Sequence, residues 1–212
     1  MFDIDPTKYR LVDLSTQVVP GHTDPYRPFD IVEGRLGDGT RKFDIVNSHT
    51  HVGTHIESPW HFYGDRNTCT DYPLEKFMGK ATLLKGAPAA GNERVTLADV
   101  EAQLEPRRGE FSVLVVRNDT DQKPLRFTMD CIPYFASFNL DLFVFEMSIE
   151  FGQGLDDGRE FHDIMLSRDI LLVEIPANMG SLNQDNFFVF AMPLNVRKLD
   201  SSWCRLFAVL ER

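Results

Sequence analysis

The chain has 212 residues, enough for one sizeable domain, and its 42% hydrophobic and 25% charged residues are typical of a globular protein. Its 22 Lys and Arg against 32 Asp and Glu give a formal net charge of −10, which argues against nucleic acid as a partner. The start lacks a signal-peptide pattern, no apolar run approaches the roughly 20 residues of a membrane helix, and the three cysteines are scattered. We therefore expect a single domain over residues 1–212, located in the cytoplasm, with no membrane partner.

Strand-like runs predominate along the chain. Residues 41–46 follow the turn signal Gly37-Asp38-Gly39, which predicts the second arm of a hairpin. Continuous apolar, β-branched or aromatic runs further along predict strands that are covered on both faces. These runs are residues 111–116, 140–145, 170–175, 187–193 and 204–210.

Helical signals are fewer than strand signals. Thr96 is a capping residue with an acid three positions later, and the apolar spacing that follows predicts a helix over residues 97–104. Residues 130–138 are a second helical candidate, and residues 73–78 predict a short turn of helix. Because strands outnumber helices, we expect an α/β or α+β domain with a mixed sheet.

Four of the six histidines lie between residues 49 and 61. His51, His55, Glu57 and His61 all occupy odd positions, so an extended backbone would turn their side chains to one face. Four residues of straight strand span about 13 Å, too far for His51 and His55 to share an ion, but Gly53 between them allows a bend. A helix would also bring the two histidines together, yet Gly53 and the neighbouring β-branched residues disfavour it.

Imidazole and carboxylate groups at this spacing predict a metal site, and they suit Zn, Mn, Fe or Ni without selecting among them. The alternative interpretation is a solvated histidine-rich loop. Trp60 and Phe62 flank the histidines and predict an aromatic wall for a flat substrate, with ordinary core packing as the alternative.

Further along the chain, His162 and Glu174 are the next candidates. Glu174 ends an apolar run, where a buried carboxylate is costly unless it is paired or bound to a metal. The alternative is that Glu174 ends a strand at the surface. His22 and His49 are expected to be structural or surface residues, although His49 is close enough to the cluster to support it.

The stretch from His51 to His61 reads His-Val-Gly-Thr-His-Ile-Glu-Ser-Pro-Trp-His. It resembles the signature H-x-G-T-H-x-D-x-P-x-H of the cyclase family of metal-dependent hydrolases, which includes bacterial kynurenine formamidases and isatin hydrolase. Seven of the eight specified positions match, with Glu57 in place of Asp. His162 and Glu174 also have the twelve-residue offset of the family's downstream pair.

The resemblance implies a swivelling β/β/α fold, a single α/β domain with a mixed sheet, and a homodimer or homotetramer. It implies a divalent metal, Zn or Mn, as one ion or two. The implied ligands are His51, His55, Glu57, His162 and Glu174. His61 would transfer protons, oriented by Glu174, or bind a second ion.

The implied reaction is hydrolysis of an amide, formamide or lactam C–N bond in a small-molecule substrate, as in an arylformamidase, by a metal-activated water. Two rival interpretations stay open: a lactone hydrolase or dehydratase with the same site, and a catalytically silent ligand-binding member of the family. Glu57 is one methylene longer than the Asp of the signature, which disfavours a carboxylate that bridges two ions and favours one ion.

Overall fold

The computed structural model describes residues 5–21 and 28–212. The described residues form twelve strands and four α-helices. The strands are β1 (Tyr9–Asp13), β2 (Phe29–Arg35), β3 (Arg41–Ser48), β4 (His55–Glu57), β5 (Met78–Gly86), β6 (Val113–Asn118), β7 (Leu125–Phe127), β8 (Leu142–Phe145), β9 (Ile149–Phe151), β10 (Leu171–Glu174), β11 (Asn186–Pro193) and β12 (Ser201–Glu211). The helices are α1 (Pro59–Tyr63), α2 (Leu97–Leu104), α3 (Cys131–Phe135) and α4 (Leu155–Leu166).

Eight strands form one mixed sheet in the order β1-β12-β11-β5-β6-β8-β10-β4. Strands β5, β6, β8 and β10 run parallel to their neighbours within this group, whereas β1, β11, β12 and β4 pair antiparallel. The short strand β4 also pairs with β12, so the sheet closes into a barrel. A mixed sheet is the arrangement that the sequence predicted.

The predicted strands are present, but they are buried to different degrees. Every residue of β8 is buried, as are the first four of β6 and the first three of β10, which confirms strands covered on both faces. The expectation of two covered faces is wrong for β11 and β12, where burial alternates along much of each strand. One face of an antiparallel strand can remain partly open to water.

Two hydrophobic cores flank the sheet wall. One lies inside the barrel and contains Leu14, Ile56 and Val144, among others. The other lies between the sheet and helices α2, α3 and α4 and contains many phenylalanines. This second core explains why the helices form: each covers an apolar sheet face with a stripe of its own residues.

Helix α2 begins after Thr96, whose side chain and that of Asp99 form the predicted capping box, so this helix is confirmed. Helix α3 is shorter than the predicted 130–138, and residues 74–77 form the predicted short helix in the 3-10 form. Helix α4 was not predicted. Among the described residues, no helix is long and apolar enough to cross a membrane.

Strands β2 and β3 form the predicted hairpin, with Gly39 at φ +86° in its turn. In the described chain they pair with each other and with no other strand. Several large apolar side chains of this hairpin are exposed: Ile31, Val32, Phe43, Ile45 and Val46.

Candidate metal centre

The signature segment bends once and then becomes a strand. Gly53 has φ +67°, a conformation that favours glycine, and its carbonyl accepts a 2.8 Å hydrogen bond from His55 Nδ1. His55 and Glu57 follow on β4, and their side chains share a face because they are two residues apart. Helix α1 then begins at Pro59 and carries His61. The predicted bend at Gly53, rather than a helix, therefore brings His51 and His55 together.

The remaining candidates come from elements that pack against β4. Strand β10 pairs with β4, and Glu174 lies opposite His55 in the register. Helix α4 packs against β10 and supplies His162. All the predicted ligand residues thus lie around one centre, which is the position that closes the barrel.

The separations of the donor atoms suit a bound metal ion. Two donors about 2.1 Å from one tetrahedral ion lie roughly 3.4 Å apart. His51 Nδ1 lies 3.1 Å from both His55 Nε2 and Glu57 Oε1. His55 Nε2 lies 3.7 Å from Glu57 Oε1 and 3.8 Å from Glu174 Oε2. A single ion can therefore contact several of these atoms without large movement.

The other two histidines approach the same carboxylates. His61 Nε2 lies 3.6 Å from Glu57 Oε1, and His162 Nε2 lies 3.4 Å from Glu57 Oε2 and 3.8 Å from Glu174 Oε1. Two overlapping groups of three residues offer ligand atoms that, within each group, all lie within 4.8 Å of one another. One group is His51, Glu57 and His61, and the other is His55, Glu57 and Glu174. Glu57 belongs to both groups and lies at the middle of the cluster.

Glu57 is 3% exposed, and its Oε2 atom accepts no hydrogen bond. A buried carboxylate oxygen without a hydrogen bond is costly, so native proteins seldom leave one unsatisfied. A metal ion is the partner that this donor set suits, because imidazole and carboxylate groups bind Zn and other divalent transition metals. The residues present therefore fit a divalent cation.

The contacts within the centre also change the pKa values of Glu57 and His162. Burial alone would raise the pKa of Glu57, but His162, His51 and His55 hold that pKa well below its usual value. Burial alone would lower the pKa of His162, but Glu174 and Glu57 outweigh it and raise that pKa to about 10. The contacts within the centre therefore favour the ionised form of the Glu57 carboxyl, which is the form that binds a metal ion.

Asp200 is a third carboxylate at the centre, and the sequence did not single it out. Its Oδ2 atom lies 2.9 Å from His51 Nε2 and 3.1 Å from His61 Nδ1. Burial alone would raise the pKa of Asp200, but hydrogen bonds from His51, Thr50 and His61 lower it. The carboxylate hydrogen-bonded to His61 is thus Asp200, whereas Glu174 contacts His55 and His162.

A cavity of about 710 Å³ opens beside the centre. His61, His162 and Glu174 line it, together with Phe62 and Arg159. Phe145, Phe151 and Phe161 also line it, so much of the wall is aromatic. Substrate-sized molecules can therefore reach the predicted metal ligands.

Of the two aromatic residues that were predicted to contact the substrate, one lines the cavity and the other does not. Phe62 lines the cavity, whereas Trp60 is half-buried and lies outside the set of lining residues. His49 supports the cluster, because its Nδ1 atom accepts a 3.2 Å hydrogen bond from the backbone N–H of His51. His22 lies outside the described residues.

A sequence model of the family named Cyclase, with the description "Putative cyclase", matches residues 12–149. The match contains the whole signature segment and ends before His162, Glu174 and Asp200.

Solved structures align with nearly the whole chain. Isatin hydrolase A from Labrenzia aggregata, bound to benzyl benzoate, is 20% identical with a TM-score of 0.78, over 96% of this chain and 94% of that chain. Isatin hydrolase A from Ralstonia solanacearum is 18% identical with a TM-score of 0.74, over 96% of this chain and 92% of that chain. A structure described as a predicted metal-dependent hydrolase from Bacillus stearothermophilus is 19% identical with a TM-score of 0.71, over 95% of this chain and 98% of that chain.

Identities of this size indicate a shared fold. The predicted α/β cyclase-like fold with a mixed sheet is therefore confirmed.

Proposed function

This chain belongs to the cyclase family, and from that premise we propose that it is a metal-dependent hydrolase of small molecules. The observation that carries the proposal is the buried Glu57 carboxylate, which has imidazole nitrogens of four histidines within 3.1–3.7 Å. Two of the three structural neighbours described above are isatin hydrolases, which supports a C–N bond of an amide, formamide or lactam as the bond that is cleaved.

Each residue of the centre has a role in the proposed reaction. The predicted ligands of the metal ion are His51, His55, Glu57, His162 and Glu174. A divalent ion held by these residues, Zn or Mn, would supply an activated water and would polarise the substrate carbonyl. His61 is more exposed than the other histidines of the centre and lines the cavity, so it can take a proton from water and return it to the leaving nitrogen.

The cavity supports a small aromatic substrate. Phe62, which is half-buried, offers an apolar surface to a flat ring, and the largely buried Phe145, Phe151 and Phe161 add to the lining. Arg159 lies three residues before His162 on α4, so the two side chains share a helix face and both reach the cavity. In the described chain Arg159 makes no ion pair, and its guanidinium lies 5.7 Å from the centre of the Phe62 ring. It is therefore available to bind a carboxylate or carbonyl group of the substrate.

We extend the proposal to assembly and location. The exposed apolar residues of the β2–β3 hairpin support a homodimer or homotetramer, because an apolar patch of this kind is a common contact surface. The three cysteines are free, in agreement with a reducing cytoplasm.

Metal content and turnover test the proposal together. The purified protein is expected to hold about one equivalent of Zn or Mn by elemental analysis and to hydrolyse members of a panel of formamides, lactams and aromatic amides. His55→Ala should lose both the metal and the turnover. His61→Ala should keep most of the metal and lose turnover, which separates the two roles.

The rival interpretations give different results in the same experiment. Faster cleavage of lactones than of amides would favour the lactone hydrolase. A protein that takes up neither Zn nor Mn would refute the hydrolase and leave the silent ligand-binding protein.

A further inference from the structure

Asp200 lies where the barrel closes. It directly precedes β12, whose residues Ser201–Trp203 pair with β4. Its backbone carbonyl accepts hydrogen bonds from the Ser58 backbone N–H at 3.3 Å and from Ser58 Oγ at 3.0 Å. Ser58 is the residue before α1, which carries His61. The backbone of Asp200 is thus attached to the segment that joins β4 to α1.

The two oxygens of the Asp200 side chain have different partners. Oδ1 accepts a 2.9 Å hydrogen bond from Thr50 Oγ1. Oδ2 lies 2.9 Å from His51 Nε2 and 3.1 Å from His61 Nδ1. Thr50 therefore fixes the orientation of the carboxylate and leaves one oxygen for two imidazoles.

Both imidazoles direct their other nitrogen at the metal centre. His51 Nδ1 faces Glu57 and His55, and His61 Nε2 faces Glu57. Asp200 favours the proton on the ring nitrogen that faces it, in competition with Glu57 at the other nitrogen, and thereby favours a lone pair directed at the centre. A lone pair is what a metal ligand and a proton acceptor both require.

The other two histidines follow the same pattern with uncharged acceptors. His55 Nδ1 lies 2.8 Å from the Gly53 carbonyl, and His162 Nδ1 lies 2.7 Å from the Gly158 carbonyl. All four imidazoles thus have an oxygen acceptor on the nitrogen that faces away from Glu57. Backbone carbonyls are the acceptors for His55 and His162, and the Asp200 carboxylate is the acceptor for both His51 and His61.

We propose that Asp200 is a positioning residue that sets the tautomer and orientation of His51 and His61 at once. One carboxylate thereby prepares a metal ligand and the proton-transfer residue. The parts of this inference that concern turnover and metal affinity rest on the proposed function, whereas the tautomers do not.

The imidazole tautomers of the metal-free protein test the inference directly. Long-range ¹H–¹⁵N NMR reports which ring nitrogen carries the proton in each histidine. Asp200→Asn should move the ring proton of His51 toward Nδ1 and that of His61 toward Nε2, and it should leave the tautomer of His55 unchanged. Unchanged tautomers of His51 and His61 in this variant would overturn the proposal.

Zn²⁺ affinity, measured by competition with a chromophoric chelator, gives a second readout. Asp200→Asn should weaken Zn²⁺ binding by about 10- to 100-fold, the usual effect of losing the partner of a metal-bound histidine. The absorption spectrum of the Co²⁺ form should also change. Full affinity with an unchanged Co²⁺ spectrum would count against the proposal.

Two further variants keep the result interpretable. Thr50→Val retains the carboxylate but removes the hydrogen bond to Oδ1, so it should change the tautomers in the same direction by a smaller amount. Asp185→Asn removes a carboxylate that pairs with Lys85 and Arg107 away from the centre, so it should change neither readout. An equal effect of Asp185→Asn would show that general destabilisation is responsible and would overturn the proposal. If the wild type hydrolyses nothing, the proposed function fails, while the tautomers still decide the role of Asp200.

Discussion

Gly53→Ala is the substitution whose cost can be worked out most directly from the structure. Gly53 has φ +67°, and a Cβ atom added there would lie 2.5 Å from Val18 Cγ2. The left-handed backbone costs a non-glycine residue roughly 1–2 kcal/mol. The overlap with Val18, a stiff β-branched residue, adds about 1–3 kcal/mol. The free energy of unfolding should therefore fall by roughly 2–5 kcal/mol.

Gly39→Ala is the matched control for the backbone contribution. Gly39 has φ +86° in the hairpin turn, and an added Cβ would meet no atom within 4 Å. Its cost should therefore be about 1–2 kcal/mol, the backbone contribution alone. The gain from restricting the unfolded chain is the same for both glycines and cancels in the comparison.

Urea unfolding of both variants, in the wild-type and Val18→Ala backgrounds, measures the two contributions separately. In the Val18→Ala background the cost of Gly53→Ala should fall to about that of Gly39→Ala, since the overlap is gone. Zn²⁺ affinity should fall for Gly53→Ala, whose bend brings His51 to His55, and stay unchanged for Gly39→Ala. Equal costs for Gly53→Ala and Gly39→Ala in the wild-type background would refute the reasoning.

Four shorter predictions concern the site, the cavity and the hairpin. Thr54 is 5% exposed and donates a 2.7 Å hydrogen bond to the Ile175 carbonyl beside Glu174, so Thr54→Val should lower the free energy of unfolding by about 1–3 kcal/mol in urea titrations. Arg159→Gln should raise KM for aromatic amides that carry a carboxylate and leave KM for their neutral analogues unchanged; equal effects on both would contradict a contact with substrate. Phe43→Ser combined with Ile45→Ser should lower the molar mass in light scattering, and a mass unchanged from wild type would exclude the hairpin as the contact surface. Zn²⁺ at 100 times its Kd should raise the free energy of unfolding by about 2.7 kcal/mol and Tm by roughly 5–11 °C in calorimetry, and His55→Ala should abolish this rise.

The sequence predicted those elements whose local pattern agrees with their environment. The runs that became β6, β8 and β10 are apolar because both faces are covered, and the capping box at Thr96 marks the start of α2 without reference to the rest of the fold. Helix α4 was missed because Gly158 interrupts it and its exposed face is charged. Strand β5 was missed because Lys80 and Lys85 are exposed along a run that is otherwise mostly buried. Both elements depend on packing that a local pattern does not encode.

The residues of the site show the same difference between local patterns and long-range packing. His51, His55 and Glu57 are close in sequence, and one flexible joint at Gly53 brings them together, so their spacing alone predicted a metal site. Glu174 was a candidate from its place at the end of an apolar run, but only the family resemblance assigned it and His162 to the same metal site as the signature residues. Asp200 contacts His51 and His61 from 149 and 139 residues away, through the pairing of β4 with β12. Nothing near Asp200 in the sequence distinguishes it from an exposed acidic residue.

The closure of the barrel also explains how Glu57 can replace a shorter carboxylate. Strand β4 is held by hydrogen bonds to β10 on one side and to β12 on the other, so its backbone has little freedom to move. The additional methylene of Glu57 instead extends the carboxylate into the centre, where Oε1 faces His51, His55 and His61 at 3.1, 3.7 and 3.6 Å. The three signature imidazoles thus converge on one oxygen, while Oε2 faces His162 alone among the histidines.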